Sequence, residues 1–313
     1  MSTTPAGSVL RIATRKSRLA LWQAEHVASL LRNAHAGLEV ELLPMSTQGD
    51  RILDRSLAAI GGKGLFIKEL EVALAERRAD IAVHSMKDVP AEMPQGFAIG
   101  ALLARADPRD ALLCRHGAAI TDLPEGAKLG TSSLRRRAQI LAARPDLAIE
   151  PLRGNVDTRL ARLENGALDA IVLACAGLVR LGLESRITTR LAPEEMLPAV
   201  GQGAIGIECR SEDARTRALV GALDDAATHI ALSAERAFAR TLGGSCQSPI
   251  AALARVENER LTLQGLVAEP DGSRLLRASV SGESARAAEL GEELARRLLG
   301  SGAHELLERL RSA

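Results

Sequence analysis

The chain has 313 residues, 46% of them apolar and 25% charged, and a formal net charge of +1. That length accommodates two or three domains, each with its own core, and the near-balance of charge excludes a protein that coats a polyanion over its whole surface. With no tyrosine, one tryptophan and three phenylalanines, the cores must be built from Leu, Ile, Val and Ala.

Residues 9–14 read as a strand, and Ser17 then caps a helix whose apolar residues are Leu19, Trp22, His26/Val27 and Leu30. Residues 38–43 form a second strand. The glycine turn Gly61-Gly62-Lys63-Gly64 opens a helix with Phe66, Leu70, Val72/Ala73 and Leu74 inward, and residues 80–83 form a short buried strand. This alternation predicts an α/β lobe with a parallel-dominated sheet and helices on both faces.

The pattern pauses at Asp107-Pro108-Arg109, a crossover, and a second α/β unit follows. It has strands at 111–114, 147–150 and 170–173, with helices from Ser132/Ser133 to Ala143 and from Val156 to Glu164. Residues 193–203 read as a loop, and 204–208 as another strand. From Ala226 the character changes to a helix (230–242), strands near 250–256, 261–267 and 274–280, and two closing helices. That is an α+β unit with an antiparallel sheet. The expected division is 1–104 with 200–222, then 105–199, then 223–313.

Residues 1–8 lack a basic start followed by an apolar run, and no apolar span reaches membrane length. Cys114, Cys175, Cys209 and Cys246 are far apart, with no ligand spacing among them or the six histidines, so a metal site is not expected. The reading is a reduced, cytoplasmic protein without a membrane partner.

Two glycine motifs fail as nucleotide sites. Gly61 to Gly64 lacks the spacing and the Ser/Thr of a phosphate loop, and Gly201-x-Gly203-x-x-Gly206 runs into a strand rather than out of one. Three other segments carry chemistry. His84-Ser85-Met86-Lys87-Asp88-Val89-Pro90 follows a buried strand, where ligands bind in open α/β sheets. Between Thr131 and Arg162 seven arginines face three acids, with no aromatic residue among them; that suits a small polycarboxylate or phosphate better than nucleic acid. Arg135, Arg136 and Arg137 stand in the first turn of a helix, against its dipole, a placement that a bound anion would explain. Finally, Gly243-Gly244-Ser245-Cys246-Gln247-Ser248-Pro249 sets one thiol in a small-residue bend.

Together these segments, with Arg11 to Arg15, Ser46 to Asp50, Gly130 to Arg136, Arg153 to Val156, Gly182 to Ile187 and Gln202 to Glu208, resemble the porphobilinogen deaminase (hydroxymethylbilane synthase) family. They keep family order over most of the first 250 residues. The resemblance implies two lobes like those of type II periplasmic binding proteins, with the active site between them, and a smaller third domain. It implies a monomeric transferase of heme and tetrapyrrole synthesis with porphobilinogen as substrate. A dipyrromethane cofactor is expected on Cys246 through a thioether. Asp88 is implied as the catalytic carboxylate, stabilising the cationic azafulvene left when ammonia departs. Lys87, Ser85, Ser133, Arg135, Arg136 and Asp88 are implied to hold the cofactor. Arg15, Arg153, Arg159, Arg180, Lys63, Phe66 and Gln23 are implied to bind substrate. One departure stands out: the family commonly has Glu-Gly-Gly where this chain has Gly243-Gly244-Ser245. A two-lobed anion-binding protein and a nucleotide-dependent enzyme are the competing readings, and ammonia release from porphobilinogen separates the deaminase from both.

Overall fold

A computed structural model of the chain describes residues 9–47, 49, 67–244 and 248–312. The glycine turn with Lys63 and Phe66, and Cys246 itself, lie outside the described residues. The chain divides into two compact units, Met1–Arg105 with Ala204–His229, and Ala106–Gly203 with Ile230–Ala313.

The first unit holds strands β1 (Val9–Arg15), β2 (Glu39–Met45), β3 (Ile81–Ser85), β4 (Phe97–Leu102) and β10 (Ile205–Arg210) in the order β2-β1-β3-β10-β4. β1 pairs in parallel with β2 and β3, but β10 runs antiparallel to β3 and β4. The sheet is thus mixed, not parallel-dominated. A segment arriving from about a hundred residues downstream fills its fourth place, and local periodicity carries no sign of that partner. Helix α1 (Arg18–Ala34) is capped by Ser17 Oγ, which accepts from Ala20 N at 3.3 Å. Its fully buried face is Ala20, Gln23, Ala24, Val27, Ala28 and Leu31; of the expected stripe Val27 belongs to it, Trp22 and Leu30 are half-buried and pack against the same core, and His26, stacked on Trp22, is exposed. Helix α2 (Lys68–Ala75) buries Leu70, Ala73 and Leu74, whereas Val72, expected inward, is 42% exposed. One face of the sheet packs with α1 through Leu10, Ile12, Val27, Leu31 and Ile207, the other with α2 through Ala13, Leu70 and Leu74.

The second unit repeats the plan. Strands β5 (Asp110–Cys114), β6 (Lys128–Gly130), β7 (Ala148–Glu150), β8 (Ala170–Ala174) and β9 (Thr189–Arg190) take the order β7-β6-β8-β5-β9. β5 runs antiparallel to β8 and β9. In both sheets, therefore, an antiparallel strand sits fourth behind three parallel ones, giving two lobes of one design. Helices α3 (Leu134–Ala143), α4 (Val156–Glu164) and α5 (Cys175–Arg180) follow β6, β7 and β8. Ser133 and Asn155 cap α3 and α4.

Beyond the short helix α6 (Ala214–Gly221), helix α7 (Ala226–Thr241) leads to a three-stranded antiparallel sheet of β11 (Ile250–Glu257), β12 (Arg260–Ala268) and β13 (Leu275–Glu283). Helices α8 (Ala287–Leu298) and α9 (His304–Ser312) close the chain. This sheet shares a core with α3: Ala138 and Leu197 pack with Ala251, Leu253, Leu266 and Ala268. That shared core explains why the C-terminal segment and the second lobe form one compact unit. No helix among the described residues is long and apolar enough to cross a membrane.

Candidate functional site

In the first unit, polar side chains gather at the carboxyl ends of parallel strands. β1 ends at Arg15 and β3 at Ser85, and the pairing of Ile12 with Ile81 and Ala13 with Ala82 puts both ends at one sheet edge. Past Ser85 the chain makes a single 3-10 turn, Met86–Asp88, and Pro90 holds Val89 extended at φ −87°. Met86 points inward at 2% exposure, leaving Lys87 and Asp88 half-buried beside it. Several contacts fix the turn. Met86 N donates to Ala204 O at 3.0 Å. Gln23 Nε2 donates to Ser85 Oγ at 2.8 Å, with Gln23 itself 2% exposed. Met86 lies over Gly206, where an added Cβ would stand 2.1 Å from its sulfur.

Behind the turn, His84 Nε2 and Glu208 Oε2 share a 2.7 Å hydrogen bond, both side chains closed to solvent. Glu71 of α2 faces this pair. Burial, then the charge of Glu208, raises its pKa above the ordinary value, with His84 opposing.

In the second unit, the basic residues occupy the carboxyl edge of the second sheet. Ser133, Arg135 and Arg136 follow β6, Arg153 and Arg159 follow β7, and Arg180 ends the helix after β8. Arg135 and Arg136 are only 4% and 6% exposed, and both grip Asp110. Arg135 Nη1 donates to Asp110 Oδ2 at 2.7 Å and to Leu197 O at 2.7 Å. Arg136 donates to Asp110 Oδ1 from Nε at 3.1 Å and Nη2 at 2.7 Å, and to Val172 O from Nη1. Gln202 Nε2 adds a fourth donor at 3.0 Å. Burial alone would raise the Asp110 pKa, but the two guanidinium charges outweigh it and hold the carboxyl well below the usual range. The anion that the helix start calls for is thus, in part, the chain's own. Arg159 Nε donates to Gly154 O at 2.9 Å and Arg180 Nη2 to Gly203 O at 2.7 Å.

The donor set suits a polycarboxylate such as the dipyrromethane. Nε of Arg135 is buried without a hydrogen-bond partner, a donor that a carboxylate would satisfy. Burial lowers the Arg180 pKa to about 10, so an anion brought beside it would offset the desolvation. The hydroxyl of Ser133, at the start of α3, adds a neutral group at the same edge.

Three residues at this site escape the sequence reading: Asp110, Gln202 and Glu235. Asp110 stands directly before the apolar run of β5, an uncommon place for an unpaired acid. Glu235 falls on the buried stripe of α7 with Ala231 and Phe238, and that offset was legible.

Residues 10–218 match the family model described as porphobilinogen deaminase, dipyromethane cofactor binding domain, and residues 229–300 match its C-terminal domain. The porphobilinogen deaminase of Xanthomonas axonopodis pv. citri is 56% identical over 303 residues, covering 97% of this chain and all of the relative. That of Xanthomonas oryzae pv. oryzae is 57% identical over the same coverage. Among solved structures, an ABC-transporter periplasmic substrate-binding protein from Coxiella burnetii has a TM-score of 0.45 at 17% identity, covering 70% of this chain and 94% of that chain. The BvgS VFT2 domain of Bordetella pertussis has a TM-score of 0.44 at 15% identity, covering 73% and 91%.

Proposed function

The chain belongs to the porphobilinogen deaminase family, transferases of tetrapyrrole synthesis that use a dipyrromethane cofactor; from that premise we propose that it joins four porphobilinogen molecules head to tail on a dipyrromethane carried by Cys246 and then releases linear hydroxymethylbilane to water. The observation that carries this reading is the Ser85–Asp88 turn, which sets one carboxylate, one ammonium and one hydroxyl together at a strand's carboxyl end. When attached, the dipyrromethane supplies the pyrrole α-carbon that is extended.

Asp88 stabilises the cation left on the substrate when ammonia departs, and accepts or returns protons at pyrrole nitrogen. Preorganised charge of this kind is commonly the largest catalytic contribution. Ser85, with its hydroxyl oriented by Gln23, and Lys87 bind carboxylates beside it. Ser133, Arg135 and Arg136 hold cofactor carboxylates, with Asp110 keeping the two guanidiniums in place. Arg15, Arg153, Arg159 and Arg180 receive the acetate and propionate of each incoming pyrrole, joined by Lys63 and Phe66 from outside the described residues. Bidentate guanidinium–carboxylate pairing fixes orientation as well as charge. The functional division is 1–104 with 200–222, 105–199 and the cofactor-bearing 223–313, in a cytoplasmic monomer that needs no nucleic acid.

The intact mass of the purified protein beside Cys246→Ala tests this. The expected result is an excess equal to two linked pyrrole units, absent from the variant. An unmodified wild-type mass that persists after incubation with porphobilinogen, without ammonia release, would overturn the reading in favour of a binding protein.

A further inference from the structure

Glu235 lies on α7 and is fully buried, at 0% exposure. Leaving a carboxylate in such a place is costly unless its oxygens are matched by donors. Both are matched by backbone. Oε1 accepts from Ala254 N at 2.8 Å and Oε2 from Gly201 N at 2.7 Å. Charge-assisted bonds of this length are among the stronger hydrogen bonds of proteins.

The three segments so joined are not arbitrary. α7 is the limb that enters the bend carrying Cys246, and β11, with Ala254, is the limb that leaves it. Cys246 lies outside the described residues, but both limbs are described, and they approach closely: an added Cβ at Gly244 would stand 2.2 Å from Ile250 Cδ1. The third segment, 201–203, reaches the arginine set. Gln202 Nε2 donates to Asp110, the counter-ion of Arg135 and Arg136, and Gly203 O accepts from Arg180. One carboxylate therefore fastens both limbs of the thiol-bearing bend to the loop that touches the carboxylate-binding arginines.

We propose that Glu235 is a positioning residue for cofactor attachment, tying the two elements that flank Cys246 in the chain, α7 and β11, to the 201–203 loop that meets the Arg135–Arg136–Asp110 cluster. The inference rests on Cys246 being the attachment point. A thioether to a ligand whose carboxylates are held elsewhere forms only when thiol and carboxylate donors are spaced to suit the same molecule. A clamp on both limbs of the bend sets that spacing.

The test compares wild type, Cys246→Ala, Glu235→Gln and Leu129→Ala, reading intact mass and melting temperature for each. Glu235→Gln keeps the size but presents one acceptor and one amide donor, so one of the two backbone N–H groups loses its partner. Leu129→Ala removes buried side-chain volume from the core of the second lobe and serves as the destabilised control. Glu235→Gln is expected to fold yet to take up the two-pyrrole increment at least about tenfold more slowly when unloaded protein is mixed with porphobilinogen, while Leu129→Ala loads normally. Full loading of Glu235→Gln, or loss of loading in Leu129→Ala in step with its melting temperature, would overturn the proposal. If Glu235→Gln does not accumulate folded, Ala254→Pro carries the test. It deletes one donor on an edge strand, where proline is tolerated, and normal loading of that variant would equally overturn the idea. A wild type without the increment, or Cys246→Ala with it, would instead refute the attachment point itself.

Discussion

Asp110 and Arg136 meet side-on, one carboxylate oxygen receiving both Nε and Nη2 of the guanidinium at 3.1 and 2.7 Å, while the other oxygen receives Arg135. A single buried negative charge thus serves two buried positive ones. Asp110→Asn leaves both guanidiniums without a counter-charge, and breaking a buried pair in this way costs about 3–5 kcal/mol. Urea unfolding of the variant should show a loss of that order, against little change for substitutions of exposed acids such as Glu164. Linkage gives a second reading. The Asp110 pKa is depressed in the folded protein, so its contribution is complete above the unfolded value of about 3.9 and is lost only as pH falls below it through the folded value. Between pH 5 and 8 the difference between variant and wild type should therefore stay constant.

Glu71 has the opposite sign. Burial and the neighbouring Glu208 raise its pKa in the folded protein. The folded state then holds the proton more tightly than the unfolded one, so stability is greatest below the unfolded pKa and falls as pH rises through the folded value. Glu71→Gln mimics the protonated form. It should raise the melting temperature at pH 7 and leave it unchanged at pH 4; an equal effect at both would show that burial and Glu208 together do not raise the carboxyl's pKa.

Asp88→Asn tests the role proposed for the turn. Asp88 is half-buried, and the backbone of the turn is fixed by Met86, Ala204 and Gly206 rather than by the carboxylate. Stability should change by under about 1 kcal/mol. Ammonia release from porphobilinogen should fall by about a hundredfold or more, the scale on which lost charge stabilisation appears. A near-normal rate in a folded, loaded variant would remove Asp88 from the chemistry.

Much of this was written locally. The runs at β1, β3 and β8 are apolar, bounded by turn residues, and come out as strands; Ser17, Ser133 and Asn155 stand where caps belong. β4, β6, α5 and α6 did not announce themselves. β4 contains a glycine and two alanines, β6 has three residues, and α5 spans less than two turns. Nor could periodicity show β10 or β5 entering its sheet as the antiparallel fourth strand, because that pairing is made across the whole lobe. At the site, the basic and glycine-rich motifs were visible as composition. Their internal partners were not: Asp110 lies 25 residues before Arg135, and only the fold reveals that the two are neighbours.

Gly203 shows how tightly the loop beside those arginines is built. Its φ is +91°, and an added Cβ would stand 2.5 Å from Ala106 O, a backbone atom that cannot swing aside. Gly182 also has positive φ, at +70°, but nothing lies within 4 Å of the Cβ it would carry. Both alanine variants bear the conformational penalty of about 1–2 kcal/mol for a left-handed non-glycine residue. Gly203→Ala alone must also displace backbone, and with it the carbonyl that receives Arg180. The expected order of melting temperatures is wild type, then Gly182→Ala, then Gly203→Ala. Of the two variants, only Gly203→Ala should also lose elongation rate, because only there does the added carbon displace the carbonyl that receives Arg180. Equal losses in both would mean that the loop yields around Ala106 and leaves Arg180 where it stands.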